Sequence, residues 1–375
     1  MVNRFTFFVI MGKSFRTIRL FTSCAIFLFL PLAANASESI RVAIADNQRT
    51  VTLKSPTGLV VEGVPSGHRE KKIIFATSSV GRKPIRIRAA GEFTRVNGKD
   101  YRGRIELRKK KNGLLIVINE LDIEEYLLGV IAAEVPYDWE FEVLKAQAVA
   151  SRTYALYQKR ASGKRPYHIL ATVDGQVYSG KNGERGNAAR AVRETTGVVI
   201  TYGGEVIPAF YHASCGGHTE NATELWGIDE PYLKGVDCDC QEISRYGLWE
   251  KRIPAIRLEA LLARQGYRLS GITGIEMDSI TPAGRVRQVT IRHEGGTTFI
   301  PAETLRAAVG YSFLPSVFFE PALEGNEVVF SGRGLGHGVG LCQWGAKEMA
   351  LRGVDFKSIL SHYYPGTTLK RIEEL

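Results

Sequence analysis

The chain has 375 residues, 44% of them hydrophobic and 23% charged, which is ordinary globular usage and excludes a wholly disordered protein. Its formal net charge is +10, yet no RNP-type aromatic motif, zinc-finger spacing or helix-turn-helix pattern accompanies the charge, so nucleic acid is not an expected partner.

At the start, Lys13, Arg16 and Arg19 precede the apolar run "LFTSCAIFLFLPLAA", and "ANA" ending at Ala36 supplies the small-x-small pattern of a signal-peptidase site. Residues 1–36 therefore read as a signal peptide, and the protein as exported to the periplasm or cell envelope. The apolar run is short for a membrane span; whether it is cleaved or kept as an anchor stays open. Removing it takes away Cys24 and four basic residues, leaving 45 Lys and Arg against 39 Asp and Glu. That excess is mild. It reads as a solvated cationic surface or as an attraction for anionic surface polymer or phospholipid.

From Ser39 to Glu120 short β-branched runs such as "IRVAIA", "KIIFAT" and "GLLIVIN" alternate with Gly, Asn, Ser and Pro, the pattern of strands and hairpins. Helices begin at "LDIEEYLLGVIAAE". Asp122 is placed to cap it, with Glu125 three residues on, and Ile123, Tyr126, Leu127, Val130 and Ile131 mark one face. Val135-Pro136 forces an extended break. A second helix is expected over about residues 140–160, with Asp138 as a candidate cap. "TTGVVITYGGEVIPAFYHAS" reads as a hairpin turning at Gly203-Gly204, "IRLEALLARQGY" as a helix ended by Gly266, and the stretch after it as strand, turn and strand. Residues 242–325 form a candidate inserted subdomain of mixed α/β character.

Glu134 follows Leu127, Val130 and Ile131 by seven, four and three residues, so helix geometry sets this carboxylate on or beside the apolar stripe. Desolvation and the negative end of the helix dipole both disfavour its charge and raise its pKa, as a general acid working near neutral pH requires. Lys145 and Arg152 share one face of the following helix. The residues alone leave two readings: a catalytic acid, or a helix-end acid paired with Lys145 or Arg152.

Near the C-terminus, "SGRGLGHGVGLCQWGAKEMALRG" places glycine at every second position from Gly332 to Gly340. Neither a P-loop nor a dinucleotide fingerprint fits. Period-two glycine permits close approach of another backbone or of a flat sugar. His337 sits at the centre and is expected to line one cleft with Glu134; Gln343 and Trp344 add an amide and an aromatic surface suited to carbohydrate.

Cys215, Cys238, Cys240 and Cys342 survive removal of the signal. An even count in an oxidising compartment points to disulfides. The spacing in "HASCGGH" and of Cys238 and Cys240 instead permits a tetrahedral zinc site of Cys215, His218, Cys238 and Cys240, with His212 as an alternative ligand. Zinc, a disulfide and free thiols all remain open here. A cysteine hydrolase built on Cys215 and His337 lacks any recognised nucleophile motif.

The stretches "LDIEEYLLGVIAAEVP", "LKAQAVASRTYAL", "DGQVYSG", "AVRETTGVVITYGGEVIPAFYHASCGGHTENATELWG", "GRGLGHGVGLCQWGAKEMALRG" and "ILSHYYPGTTL" together resemble the SpoIID/LytB family, in collinear order from Arg95 to Leu369. The resemblance implies that the acid of the "EVP" block, here Glu134, is the catalytic residue of a lytic transglycosylase, with the helix Lys and Arg falling on Lys145 and Arg152. It also implies the reaction: cleavage of the MurNAc–GlcNAc bond in glycan strands stripped of stem peptides, leaving a 1,6-anhydro-MurNAc end. Family members with a zinc site near the hairpin exist beside others without one. The alternative the resemblance carries is a non-catalytic peptidoglycan binder that enhances an N-acetylmuramoyl-L-alanine amidase. Where ordinary glycosidases use two carboxylates, a lytic transglycosylase can use the C6 hydroxyl of its own substrate, so one acid suffices. The expected fold is α+β: a β-rich region over residues 37–94, then a catalytic domain over 95–375 with helices and the insert. One structural zinc and no organic cofactor are expected, with glycan strands, and a cell-wall amidase in the enhancer reading, as partners.

Overall fold

A computed structural model describes residues 38–64, 69–173 and 175–375. The expected signal peptide lies outside the described residues. The N-terminal strands are β1 (Ser39–Gln48), β2 (Thr50–Lys54), β3 (Leu59–Val61), β4 (Lys72–Ala76), β5 (Ile85–Ala89), β6 (Thr94–Val96), β7 (Lys99–Tyr101), β8 (Arg104–Lys109) and β9 (Leu115–Asp122). They divide between two sheets. One has the order β4-β2-β6-β7; in the other, β1, β9, β8, β5 and β3 run antiparallel in that order, and β10 (Ile169–Leu170) adds to β1 in parallel.

Helix α1 (Ile123–Glu134) starts where Asp122 Oδ1 accepts the Glu124 amide at 2.7 Å and the Glu125 amide at 3.3 Å, satisfying donors that the first turn leaves orphaned. It stops at Val135, whose extended backbone (ψ 149°) is what a following proline demands. Helix α2 (Phe141–Ala161) begins after Glu140, which provides no side-chain cap; Asp138, the expected cap, stands in the turn before it. This helix is buried on two faces. Leu144, Ala148, Ala155 and Leu156 join a core with the N-terminal sheets and α1, while Val143, Ala146, Val149 and Ala150 join a second core with the C-terminal elements. Its many alanines fit that position, because small side chains let neighbours approach from all sides.

Arg152 projects from α2 and is completely buried. Its Nε and Nη2 donate to the two carboxylate oxygens of Glu124 on α1, each at 2.7 Å. Nη2 also reaches the Val192 carbonyl, on α3 (Gly186–Glu194), at 3.3 Å; Nη1 reaches the Val198 carbonyl at 3.1 Å and the Thr195 hydroxyl at 3.5 Å. All five guanidinium N–H groups thus have acceptors. The expectation that Arg152 meets substrate or braces Glu134 is corrected: its whole donor set is spent on the scaffold.

After α3 come β11 (Val198–Tyr202) and β12 (Glu205–Val206), a hairpin turning at Gly203-Gly204, then β13 (Tyr211–His212) and α4 (Ala222–Trp226). The stretch that follows carries β14 (Trp249–Pro254), α5 (Ala255–Ala263), β15 (Ile272–Ile280), β16 (Val286–His293), β17 (Gly296–Pro301), α6 (Ala302–Val309), β18 (Phe319–Glu324) and β19 (Glu327–Gly332). A third apolar core forms entirely from this stretch, around Ile253, Leu258, Val289, Ile300 and Phe330. Its first and last strands pair directly, Trp249 opposite Gly332. The chain closes with β20 (Leu341–Cys342), paired in parallel with β13, then α7 (Gln343–Leu351), α8 (Phe356–Tyr363) and β21 (Thr368–Arg371), which returns to β11. Separate small sheets with eight described helices make the fold α+β.

Arg152→Met should lower stability by about 3 kcal/mol, since it strands Glu124 and two backbone carbonyls without their donor. Arg152→Lys should recover only part of the loss, because an ammonium cannot reproduce the two-pronged grip. Thermal or urea denaturation of both variants checks this.

Candidate active site

Glu134 is the last residue of α1, where the helix ends against a cleft of about 430 Å³. Pro136, Asp138 and Trp139 continue its wall; Ala213, Leu335, Gln343 and Trp344 face it, and Arg245 with Tyr246 borders it too. The Trp139 and Trp344 rings meet edge-on at 4.9 Å, and Lys347 Nζ lies 4.9 Å from the Trp139 ring centre. Such flat apolar faces beside polar groups suit a pyranose ring.

Glu134 as a whole residue is half-buried, with its carboxyl desolvated. Its Oε1 accepts the Val177 amide at 2.6 Å, and the Tyr211 hydroxyl is a second donor. Burial pushes its pKa up to about 7 against the downward pull of those two hydrogen bonds. Around it the network is neutral. Gln176 donates to the Tyr211 hydroxyl at 3.0 Å and accepts from the Tyr126 hydroxyl at 3.1 Å, while Gln343 reaches Gln147 at 3.3 Å and Gln147 reaches the Ser151 hydroxyl at 3.0 Å. Amides and hydroxyls hold the acid in place without lending it a counter-charge.

Neither expected cation pairs with it. Lys145 ion-pairs with Glu142 on its own helix and lies over the Phe141 and Phe356 rings. Arg152 grips Glu124, as described. The helix-end ion pair that the residues alone allowed is therefore not what the structure shows.

His337 is not among the residues lining the cleft with Glu134. Its Nδ1 accepts the Val339 amide at 3.1 Å, so the neutral ring carries its proton on Nε2 and donates it to the Tyr211 carbonyl at 3.0 Å. Burial holds its pKa down, at about 4. Its link to Glu134 is indirect, through the backbone of the tyrosine whose hydroxyl touches the acid. The alternating glycines also find protein rather than ligand: a Cβ on Gly340 would stand 2.2 Å from the Phe210 carbonyl oxygen, and one on Gly334 2.8 Å from that of Ser214. Four of them, from Gly334 to Gly340, have positive φ. Gly334, Gly336 and Gly340 admit the segment Phe210–Cys215 against the strip, and Gly338 admits the Arg285 guanidinium.

Four buried thiols, Cys215, Cys238, Cys240 and Cys342, have sulfur atoms all within 4.8 Å of one another. The fourth corner is Cys342 rather than His218, which corrects the expected ligand set. His218 turns away, with Nδ1 at 2.5 Å from the Thr219 carbonyl and Nε2 toward Asp237 at 3.8 Å; the alternative, His212, has Nδ1 at 3.1 Å from the Val339 carbonyl. Cys342 Sγ accepts amide protons from Cys215 at 3.3 Å and Gly345 at 3.4 Å, and the Tyr363 hydroxyl lies 3.2 Å from Cys238 Sγ. Polar hydrogens aimed at sulfur stabilise thiolates, the form that binds metal. The cluster abuts the cleft, because the cleft residues Ala213 and Trp344 stand two positions from Cys215 and Cys342, and the Trp344 amide donates to the Ala213 carbonyl at 3.0 Å.

Residues 111–202 match the family model described as SpoIID, Stage II sporulation protein. An uncharacterized protein of Brachyspira hyodysenteriae is 32% identical over 336 residues, spanning 88% of this chain and 85% of its own. Two proteins of Bacillus subtilis align as well: Stage II sporulation protein D, 29% identical over 276 residues (68% of this chain, 76% of that one), and the amidase enhancer, 28% identical over 288 residues (65% and 40%). The chain belongs to the SpoIID/LytB family. Residue reasoning missed Val177 and Tyr211 as partners of the acid, and Gln176 as a partner of Tyr211. Val177 and Gln176 lie in the "DGQVYSG" stretch that carried part of the family resemblance, so the signal was present without a role attached.

Because Glu134 has a folded pKa of about 7 against an ordinary carboxyl value of 4.5, folding favours its protonated form. That contribution is full below about pH 4.5 and is lost as pH rises through 7. Glu134→Gln, neutral throughout, should therefore melt above the parent protein at pH 8 and lose that advantage toward pH 4.5. Melting curves across this range test it; a constant difference would contradict it.

Proposed function

We propose that this chain is an exported peptidoglycan lytic transglycosylase acting on stripped glycan strands, with Glu134 as the single general acid and base. The observation that carries the reading is a carboxyl held near pKa 7 by burial, on an aromatic-walled cleft, with neither Lys145 nor Arg152 paired to it. Protonated Glu134 gives its proton to the glycosidic oxygen as the bond from MurNAc C1 breaks, and GlcNAc leaves with a free hydroxyl. The resulting carboxylate then takes the proton of the MurNAc C6 hydroxyl while that oxygen bonds to C1, closing the 1,6-anhydro ring and restoring the acid. A pKa near the working pH serves both halves. Trp139 and Trp344 offer faces for sugar rings, and Gln343 offers an amide to their substituents. Asp138 borders the same cleft as an exposed acid, so the product end distinguishes internal closure from attack by water. Action at the cell wall or envelope agrees with the N-terminal signal pattern.

In the same reading the four cysteines hold one zinc ion. Four thiolates would supply all the ligands that a structural zinc takes, so the ion would brace the fold rather than meet substrate. It would tie the segments of Cys215, Cys238 and Cys240 to the start of α7, fixing Ala213 and Trp344 across the cleft. One relative's name, amidase enhancer, favours a second reading in which the cleft binds glycan and stimulates an amidase without cutting.

Glu134→Gln should abolish release of anhydro-ended fragments from stripped glycan, read by mass analysis of the ends, while glycan binding persists. Turnover at the parent rate would refute the assignment. If neither protein cuts, yet both stimulate an amidase equally, the enhancer reading stands. Elemental analysis should find about one zinc per chain; Cys342→Ser should lose it and His218→Ala keep it, and the reverse pattern would restore the histidine as ligand.

A further inference from the structure

The charge of this chain is unevenly placed. Between residues 38 and 120 there are 18 Lys and Arg against 8 Asp and Glu, whereas residues 121–375 hold 27 against 31. Several N-terminal cations are used internally: Arg41, Arg86 and Arg108 converge on buried Glu106, and Lys110 pairs with Asp46. Others are not. In the sheet β4-β2-β6-β7, Lys54 on β2 stands in register with Lys72 on β4 to one side and with Arg95 on β6 to the other. All three are exposed, while Val51, Leu53, Phe75 and Val96 fill the opposite face.

Directly opposed residues on neighbouring strands have Cβ atoms roughly 4.5–5.5 Å apart, and like charges so placed destabilise the sheet. Arg95 is relieved by Asp100, whose carboxylate accepts its Nε at 2.7 Å and Nη2 at 2.8 Å. Lys54 and Lys72 enter no ion pair among the described residues, and Lys71 adds a further exposed cation beside them. Any neutral or acidic residue at position 54 would remove the repulsion, so the row is costly to keep unless something anionic lies on it.

We propose that this cationic face is a docking surface for the stripped glycan strand, recognised through the carboxylate that each MurNAc lactyl group exposes once its stem peptide is gone. The inference rests on the glycan reading above for the identity of the polymer, but concerns a surface distinct from the cleft. A membrane surface fits less well. Among the described residues of this region the exposed large apolar side chains are Val64 and Ile74, with no aromatic among them, whereas proteins seated in a lipid interface insert Trp, Phe or Leu. Repeated carboxylates along one strand match a row of cations without any apolar insertion. The surface would raise the local concentration of strand at the protein and make capture depend on ionic strength.

The test measures binding of the full chain to purified stripped strands over a range of salt, and to vesicles of phosphatidylglycerol in phosphatidylcholine. The double variant Lys54→Glu with Lys72→Glu should bind strands about tenfold more weakly and with a shallower salt dependence. It should still cut short fragments that fill only the cleft at the parent rate. The single variant Lys54→Glu places an acid between two cations, so it should melt no earlier than the parent while binding strands less well; Lys54→Arg should bind normally. Unchanged strand affinity in the double variant, weakening that appears only with early melting, or parent protein that binds vesicles and ignores strands would each overturn the proposal. Loss of all cutting in the parent with strand binding intact would instead sink the transglycosylase reading and leave the docking surface in place.

Discussion

Of the buried arginines, Arg152 is the one on which the position of the acid depends. Arg152 cannot shed its charge and cannot be left in an apolar interior without partners, so every element around it must supply an oxygen. Glu124 brings α1, Val192 brings α3 and Val198 brings β11. Fixing α1 against α2 in this way fixes the end of α1 as well, and the end of α1 is where Glu134 sits. The acid is thus placed by an ion pair ten residues before it on the same helix, one that it does not touch.

The same economy of charge explains the behaviour of Glu134. Had Lys145 or Arg152 paired with it, its pKa would have fallen and the acid would be fully ionised at neutral pH. Lys145 is occupied by Glu142, and Arg152 by Glu124. The positioning work passes to Tyr211, Gln176, Gln147 and Ser151, which are polar but uncharged. They orient the carboxyl while leaving burial in control of its proton.

Local features were legible in the sequence because their physics is local. Asp122 as a cap, the stripe from Ile123 to Ile131, the break at Pro136 and the turn at Gly203-Gly204 each depend on residues within a few positions, and the structure has them all. Contacts between distant segments were not legible. Spacing alone offers His218, three residues from Cys215, as the fourth member of the thiol cluster, whereas Cys342, 127 positions away, is the one brought beside it. Period-two glycine correctly signalled close approach, but nothing in the pattern said whether the visitor was a sugar or the Phe210–Cys215 segment. A tyrosine whose hydroxyl meets an acid 77 positions earlier in the chain leaves no trace in composition or spacing.

The direct pairing of Trp249 with Gly332 has a consequence for assembly. The stretch between them leaves the body and returns to it at one place, with its own apolar core, so it can form before the rest is complete. During synthesis, Cys215, Cys238 and Cys240 emerge ahead of this stretch and Cys342 behind it. Three thiols therefore wait for the fourth while an entire unit of structure forms between them. How fast that unit closes sets how long those thiols stand exposed to oxidation, so a slow-folding insert would reveal itself as misbridged chains rather than as unfolded ones.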